Sequence, residues 1–145
     1  IPLRLVGSEM CIRDRYSVDK TDEFWADQAK LIYWDKDFDQ VLDFSRPPFA
    51  KWFLNGKTNL CFNAIDRHLK DRATQNAIVY VSTETGAERA ISYQELHEEV
   101  NRFAALLKKQ KVGKGDRVLI YMPMIPEAVY AMLACVRIGA ILFIR

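Results

Sequence analysis

Histidine is the side chain best suited to acid–base or metal chemistry near neutral pH, and this sequence contains two. His68 could act as a general base or a metal ligand, but it lies at helical spacing from Ala64 and Leu60, on an apolar stripe. His97 lies beside the predicted buried face of its own helix. Because one histidine without a second functional group does not make a catalytic site, we interpret both as structural.

The other side chains that could do chemistry are also interpreted as structural. Asp66 and Arg67 are adjacent charges, and we interpret them as an ion pair on a helix surface or across a strap rather than a catalytic pair. Cys61 and Cys135 fall on apolar helical positions, which indicates core residues. Three methionines are interpreted as strand-end, loop and core residues rather than a cofactor site: Met122, Met124 and Met132.

Glycine-rich loops that cradle phosphate are a further possibility, but the motifs do not fit. The sequence has neither G-x-x-x-x-G-K-[ST] nor G-x-G-x-x-G. Gly113-Lys114-Gly115 precedes a predicted strand, whereas a phosphate loop should follow one. The next helix is a poor anion site, because Pro126 lacks an N–H and Glu127 places negative charge at its N-terminus.

Composition limits the class of protein. Half of the 145 residues are apolar, 28% are charged and the net charge is +2, values that are typical of a soluble globular protein without a nucleic-acid or membrane partner. No apolar run reaches the roughly 18 residues of a membrane span. Cys11, Cys61 and Cys135 are odd in number and far apart, so neither a disulfide framework nor a zinc site is indicated.

The first half of the chain predicts helices separated by an extended stretch. A helix begins at Thr21 and runs to about Trp34, and a second covers about residues 60–71. Residues 35–50 have no period and contain Pro47-Pro48, which indicates an extended connector. Its surroundings carry aromatic residues that we expect to lie against a larger body: Phe38, Phe44, Phe49, Trp52 and Phe53.

A hairpin and a long helix follow. Residues 77–82 and 89–92 are β-rich, with Gly86 available for the turn. Ser92 and Glu95 have the spacing of a capping box at the start of a helix. The predicted buried face of that helix consists of Leu96, Val100, Phe103 and Leu107.

The C-terminal part predicts one β-α-β unit. Residues 117–122 read as a buried strand, Pro126 opens a helix that Gly139 closes, and residues 140–144 form the second strand. A parallel strand at a chain end has an unpaired edge. We therefore expect an α/β fold that is the front of a larger enzyme.

Several stretches resemble the opening of the adenylate-forming superfamily. In the second half these are Ile91-Ser92-Tyr93-Gln94-Glu95-Leu96, Ala104, Leu107, Gly115-Asp116-Arg117-Val118, Met122-Pro123, Leu133-Ala134 and Gly139-Ala140. In the first half, the lead segment of short-chain acyl-CoA synthetases is resembled by Phe24-Trp25-Ala26, Trp34 and Leu60 with Asp66-Arg67-His68-Leu69. The stretch from Pro47 to Phe53, with Gly56, Thr58-Asn59-Leu60-Cys61 and Asn63 to Arg67, is more similar to propionate–CoA ligases than to acetate–CoA ligases.

The resemblance implies an ATP-dependent, AMP-forming ligation of propionate or acetate to coenzyme A. The carboxylate attacks the α-phosphate of ATP with Mg²⁺, and the thiol of coenzyme A then displaces AMP. The family's phosphate loop, adenine-binding stretch and catalytic lysine all lie beyond Arg145. We therefore expect no catalytic, cofactor-binding or metal-binding residue in this chain, and no activity.

Four lysines form a cationic cluster: Lys108, Lys109, Lys111 and Lys114. They could contact the nucleotide tail of coenzyme A, but we favour the interpretation that they are the solvated C-terminal end of a helix, where the dipole stabilises cations.

The resemblance also divides the chain. Residues 1–15 look like translated sequencing-adapter DNA, and they fit neither a transit peptide nor a signal peptide. Residues 16–66 correspond to the lead segment, and residues 67–145 to the truncated start of the AMP-binding domain. After residue 141 the family continues with histidine, small residues and a Gly-Gly pair. This sequence has Leu-Phe-Ile-Arg at 142–145 instead, which we interpret as a read-end or frame error.

Two other classes of function remain as alternatives. One is a standalone binding or scaffold module, which the unfinished last strand disfavours. The other is an unrelated doubly wound nucleotide-binding protein, which the missing glycine motif disfavours.

We expect a cytoplasmic protein. The choice between propionate and acetate, the oligomeric state, the true N-terminus and any targeting signal stay open.

Overall fold

The computed structural model describes the backbone from residue 3 to residue 145 and side chains from residue 11 onward. Of the segment predicted to derive from adapter DNA, residues 1 and 2 therefore lie outside the described residues. The chain forms two compact units, the first ending at Thr58 and the second beginning at Asn59. The first contains α1 (Leu3–Asp19), α2 (Thr21–Ala29), β1 (Gln40–Arg46) and β2 (Phe49–Leu54).

Helix α2 begins at Thr21, as the sequence predicts, and ends earlier than predicted. Thr21 is its first residue, but the hydroxyl does not cap the helix: Thr21 Oγ1 donates to the carbonyl oxygens of Ser17 and Val18, at 3.1 and 2.9 Å. The predicted end at Trp34 was wrong, because α2 stops at Ala29. The indole Nε1 of Trp34 donates to the Ala29 carbonyl oxygen at 3.0 Å, so this tryptophan covers the helix end instead of extending the helix.

The predicted extended connector is mostly a second β-hairpin. Strands β1 and β2 pair antiparallel, with Leu42 opposite Trp52 and Arg46 opposite Phe49. Pro47-Pro48 forms the turn between them. Proline has no N–H to give to a strand ladder, and at a turn none is needed. Residues 35–50 therefore lack a regular hydrophobic pattern because a turn interrupts two paired strands, and not because the chain is unpaired.

Part of the aromatic content of the first unit packs within that unit. The rings of Trp34, Phe38 and Phe53 contact one another with centroids 5.0 to 5.4 Å apart. Gly56 lies under this group, and a Cβ atom there would be 2.7 Å from Trp34 Cζ3. Phe49, by contrast, is 75% exposed. Of the five aromatics that we expected to lie against a larger body, Phe38 and Phe53 pack within this unit, whereas Phe44, Phe49 and Trp52 are exposed in the described structure.

The second unit supplies the predicted α/β elements. In chain order they are α3 (Leu60–Ala64), a 3₁₀ turn (Asp66–His68), α4 (Leu69–Arg72), β3 (Asn76–Val81), β4 (Glu88–Ser92), α5 (Tyr93–Lys109), β5 (Arg117–Ile120), α6 (Pro126–Ile138) and β6 (Ile141–Ile144). Strands β3 and β4 form the predicted hairpin, and β5 and β6 pair in parallel, with Arg117 opposite Ile141. The predicted β-α-β unit is confirmed.

The single helix predicted for residues 60–71 was wrong. It is broken at Ile65, whose φ of −123° and ψ of −67° depart from helical values. Cys61, predicted to be a core residue, is fully buried together with Ile65, whereas Leu60 on the stripe of His68 is exposed. The break turns Ile65 inward, and burial of its side chain outweighs the continuity of a short helix.

Helix α5 begins with the predicted capping box. Glu95 N donates to Ser92 Oγ at 3.2 Å, and Ser92 N donates to Glu95 Oε2 at 2.8 Å. The hydrogen bonds that the Ser92 amide and hydroxyl donate to the Glu95 carboxylate hold its pKa below the ordinary value. Helix α6 ends as predicted at Gly139, whose φ of +77° is in the left-handed region.

The main core lies between α5, α6, β4 and the segment before them. Its buried members are Cys61, Ile65, Ile91, Leu96, Val100, Ala104, Tyr130 and Ala134. In a smaller cluster, the parallel strands pack against α6 through Ile120, Ala131 and Cys135. Helix α6 covers only one face of these strands, so the first, which was predicted as a buried strand, is buried here at Ile120 and exposed at Leu119; Phe143 of the second strand is exposed as well.

Candidate functional site

The densest arrangement of charged side chains among the described residues centres on Asp66. Arg137 donates to it with two nitrogens, Nη1 to Oδ1 at 3.0 Å and Nη2 to Oδ2 at 2.7 Å. His97 Nε2 lies 3.2 Å from Asp66 Oδ1. The Cys61 thiol interacts with Arg137 from the buried side. We call Asp66, His97, Arg137 and Cys61 the Asp66 cluster.

Four separate elements bring these residues together. Asp66 opens the 3₁₀ turn that the break at Ile65 creates. His97 lies in the second turn of α5, Arg137 in the last turn of α6, and Cys61 in α3. A continuous helix over residues 60–71 would rotate Asp66 relative to the other elements. The break in the helix is therefore part of what builds the cluster.

The cluster is shielded from water, which strengthens its electrostatics. The side chains of Asp66, Arg137 and His97 are 17%, 23% and 25% exposed. Burial lowers the pKa of Arg137, but its hydrogen bonds to Asp66 and the negative charge there outweigh this, so the pKa is raised. Burial raises the pKa of the Cys61 thiol, and the positive charge of Arg137 only partly opposes it. The thiol is therefore protonated at neutral pH and is a poor nucleophile.

The geometry corrects two interpretations made from the sequence. Asp66 pairs with Arg137 and not with the adjacent Arg67, whose Nη1 donates to Asn63 Oδ1 at 3.0 Å. His97 does have a charged partner, namely Asp66. No local pattern could have shown this, because the two ends of the Asp66–Arg137 pair lie 71 positions apart. Both carboxylate oxygens of Asp66 are engaged by protein groups, which supports a structural reading of the Asp66–Arg137 pair.

The other histidine is placed apart from this cluster. His68 ends the 3₁₀ turn, and its ring lies 5.9 Å from the ring of Tyr93 at an angle of 60°. The helical stripe that the sequence predicted for it, with Leu60 and Ala64, does not exist, because both residues are exposed. The aromatic contact supports a structural role for His68.

The glycines that suggested a phosphate loop have their amides occupied. Gly113 N donates to Asp116 Oδ2 at 2.8 Å, and Gly115 N donates to the Gly139 carbonyl oxygen at 2.9 Å. These bonds tie the loop before β5 to its own aspartate and to the end of α6. Two amides that already bond protein oxygens are not available to an anion.

The N-terminus of α6 has an acidic side chain in its first turn. Pro126 is the first helical residue, and no side chain caps the helix at Ile125. Glu127 lies in the first turn, with its Oε1 3.6 Å from Arg89 Nη1. This agrees with the expectation that the helix end is a poor anion site.

The lysine cluster is a set of exposed side chains. Lys108 and Lys109 lie in the last turn of α5, where the helix dipole stabilises positive charge. Lys114 lays its stem against Gly139, where a Cβ atom would be 3.1 Å from Lys114 Cγ. The four lysines are exposed at the helix end and the loop after it, as in the interpretation that we favour.

Among the described residues, no group of three or more histidine, cysteine, aspartate or glutamate residues is placed to hold a metal ion. None of the helices in the described part of the chain is both long and apolar enough to cross a membrane. Cys61 and Cys135 are buried and unpaired, as predicted, and Cys11 is exposed.

Comparison with protein families divides the chain into two adjoining matches. The model for the acetyl-coenzyme A synthetase N-terminus matches residues 14–64, and the model for AMP-binding enzymes matches residues 65–144. The chain belongs to the AMP-binding enzyme family. The predicted resemblance to short-chain acyl-CoA synthetases of the adenylate-forming superfamily is confirmed.

Relatives of this AMP-binding family chain agree with one another. The chain is 52% identical over 125 residues to a propionate–CoA ligase of Escherichia coli (strain K12), which covers 86% of this chain and 20% of the relative. It is 54% identical over 119 residues to an acetyl-coenzyme A synthetase of Laribacter hongkongensis, which covers 81% of this chain and 18% of the relative. The chain thus spans about a fifth of the length of the curated relatives that it matches.

A solved structure confirms the predicted fold class for this family member. The acetoacetyl-CoA synthetase from Streptomyces lividans superposes with a TM-score of 0.84 at 32% identity, over 90% of this chain and 20% of that one. The two family matches meet at residues 64 and 65, between α3 and the 3₁₀ turn. The Asp66 cluster therefore joins residues from both matches within one compact unit.

Proposed function

We propose that this chain is the N-terminal part of an AMP-forming ligase that converts propionate or acetate to its coenzyme A thioester. The observation that carries the proposal is the pair of adjoining family matches together with 52% identity to a propionate–CoA ligase. In the first step a carboxylate oxygen attacks the α-phosphate of ATP, which gives an acyl-adenylate and pyrophosphate. In the second, the thiol sulfur of coenzyme A attacks the acyl carbon and AMP leaves.

We further propose that residues 1–145 hold none of the catalytic, cofactor-binding or metal-binding groups. The occupied amides of Gly113 and Gly115 and the acidic N-terminus of α6 support this, because neither place offers a free anion site. For Mg²⁺ the proposal is consistent with the described residues, in which no group of three or more histidine, cysteine, aspartate or glutamate residues is placed to hold a metal ion. ATP, Mg²⁺ and coenzyme A are proposed as ligands of the longer protein only.

The remaining proposals concern organisation. Residues 16–66 are proposed to be the lead segment and residues 67–145 the beginning of the AMP-binding domain, with residues 1–15 foreign to the protein. In the longer protein the role of this part is to supply the first hairpin and the first β-α-β unit of the large domain. We propose a cytoplasmic location.

The test is carboxylate-dependent exchange of pyrophosphate into ATP. The longer protein that contains this sequence should catalyse exchange with propionate or acetate, and reactions without acid or with a long-chain acid are the controls. No exchange with either short acid would overturn the proposed reaction. The 145-residue chain alone should show no exchange with either acid, and exchange above background would overturn the placement of the site outside it.

A further inference from the structure

Residues 59–68 run across the C-terminal end of α6 and are fastened to it by side chains that the proposed reaction does not use. We call this segment the strap. It consists of Asn59, helix α3, Ile65 and the 3₁₀ turn. The two family matches divide it between residues 64 and 65, whereas the structure makes it one continuous attachment.

Asn59 fastens the strap at its beginning and serves two helices at once. Its Oδ1 accepts a hydrogen bond from Phe62 N at 3.2 Å, which caps the start of α3. Its Nδ2 lies 3.3 Å from the Val136 carbonyl oxygen and 3.2 Å from that of Arg137, both in the last turn of α6. The Val136 carbonyl also accepts from Gly139 N at 3.2 Å, so the Asn59 amide adds a second hydrogen bond there and one at Arg137, where the helix itself supplies no further N–H.

Asp66 fastens the strap near its end. It binds Arg137 of α6 through two hydrogen bonds and lies against His97 of α5. Removal of one partner from a shielded ion pair leaves the other charge without compensation, which costs more than the pair itself contributes. Both polar fastenings therefore act on the same turn of α6, at residues 136 and 137.

Between these two points the strap is held by two apolar side chains. Cys61 and Ile65 are 0% and 1% exposed and belong to the main core. The three helical pieces of residues 60–72 are too short to be stable by themselves, so their conformation depends on these attachments. Because no piece is stable without the others' attachments, we expect the segment to open as one unit, and opening has to expose both Cys61 and Ile65.

We propose that the strap is a positioning device for α6, which opens and closes as a unit. Asn59 and Asp66 are its positioning residues, because they hold the C-terminal turn of α6 in place. The opposite end of that helix carries the loop of residues 121–125 at the end of β5. When the strap opens, the last turn of α6 loses its anchors and the Cys61 thiol becomes accessible. This inference does not depend on the reaction proposed above.

Cysteine alkylation in the 145-residue chain tests the proposal, with labelling at each cysteine read by mass spectrometry after iodoacetamide treatment. Cys61 reports opening of the strap. Cys135 is buried outside the strap and reports wider unfolding, and the exposed Cys11 reports reagent activity. Rates are divided by those of the same variant in denaturant, which removes differences in intrinsic thiol reactivity.

Asn59→Ala and Asp66→Asn should each raise the relative alkylation rate of Cys61 about tenfold or more, and leave that of Cys135 within about twofold. The matched control Glu127→Gln changes an exposed ion pair on α6 without touching the strap, and it should change neither rate. Asn59→Ala is the deciding variant, because it leaves the ion pair intact. An unchanged Cys61 rate in that variant, or a parallel rise at Cys61 and Cys135, would overturn the proposal.

Discussion

Asp66 and Arg137 meet in a two-pronged ion pair with nitrogen–oxygen distances of 3.0 and 2.7 Å, although 71 positions separate them in the sequence. Both residues lie within the AMP-binding match of residues 65–144, Asp66 at its beginning and Arg137 near its end. The pair is shielded from water, and its two parallel hydrogen bonds require the planar guanidinium group. The stability that it contributes therefore depends on geometry as well as on charge.

Arg137→Lys should therefore destabilise the second unit while keeping the charge. Lysine cannot form the planar two-pronged contact, and we expect a loss of about 1 to 2 kcal/mol in the free energy of unfolding. Urea unfolding followed by circular dichroism measures this. Arg102→Lys is the matched control, because its ion pair with Glu99 is exposed, and it should cost less than about 0.5 kcal/mol. Equal losses in the two variants would contradict the structural role of the pair.

Stability should fall at alkaline pH because of Cys61 and Cys135. Burial raises the pKa of both thiols above the ordinary value of 9.0. Below that value the thiols are protonated in the folded and unfolded chain alike, and their contribution is fully present. As the pH rises above it, only the unfolded chain releases these protons, so unfolding becomes more favourable.

Urea unfolding at a series of values from about pH 7 to about pH 10 should show this decline, at up to about 1.4 kcal/mol per pH unit for each thiol. The variant Cys61→Ala with Cys135→Ala should flatten the decline, although it starts from a lower stability. Cys11→Ala changes an exposed cysteine and should keep the wild-type slope. A double variant with the wild-type slope would show that other groups cause the decline.

Tyr130→Phe should leave stability unchanged or increase it. The Tyr130 hydroxyl is buried in the main core and has no hydrogen-bond partner among the described residues. A buried polar group without a partner is unfavourable, and its removal should yield up to about 1 kcal/mol. The midpoint of thermal unfolding measures the effect. A clear decrease in that midpoint would indicate that the hydroxyl has a partner, for example a buried water molecule.

Gly56→Ala should destabilise the first unit by about 1 to 3 kcal/mol. The added methyl group would lie 2.7 Å from Trp34 Cζ3 and 3.1 Å from the Phe53 carbonyl oxygen, so the indole ring would have to move. Tryptophan fluorescence during urea unfolding reports on this ring. Gly113→Ala is the control, since its nearest neighbour would be 3.9 Å away. An undisturbed emission spectrum and midpoint in Gly56→Ala would show that the ring adapts without cost.

Local chemistry explains which elements could be predicted. The capping box of Ser92 and Glu95, the proline and the glycine that bound α6, and the β-hairpin before α5 each depend on residues within a few positions of one another. Interactions of this range are encoded by short patterns and are formed whatever the rest of the chain does. The first β-hairpin was missed because its prolines lie at the turn, where the same pattern also fits an extended connector.

The amino-acid sequence alone determined the family, the β-α-β unit and the helix boundaries at Ser92 and Gly139, because these follow from contiguous motifs. Only the tertiary structure decided that Asp66 faces Arg137 and His97, that the helix breaks at Ile65, and that Leu60 is exposed. Each of these depends on packing between segments far apart in the chain. Burial there outweighs the weak helical preference of a five-residue segment, and local patterns carry no record of it.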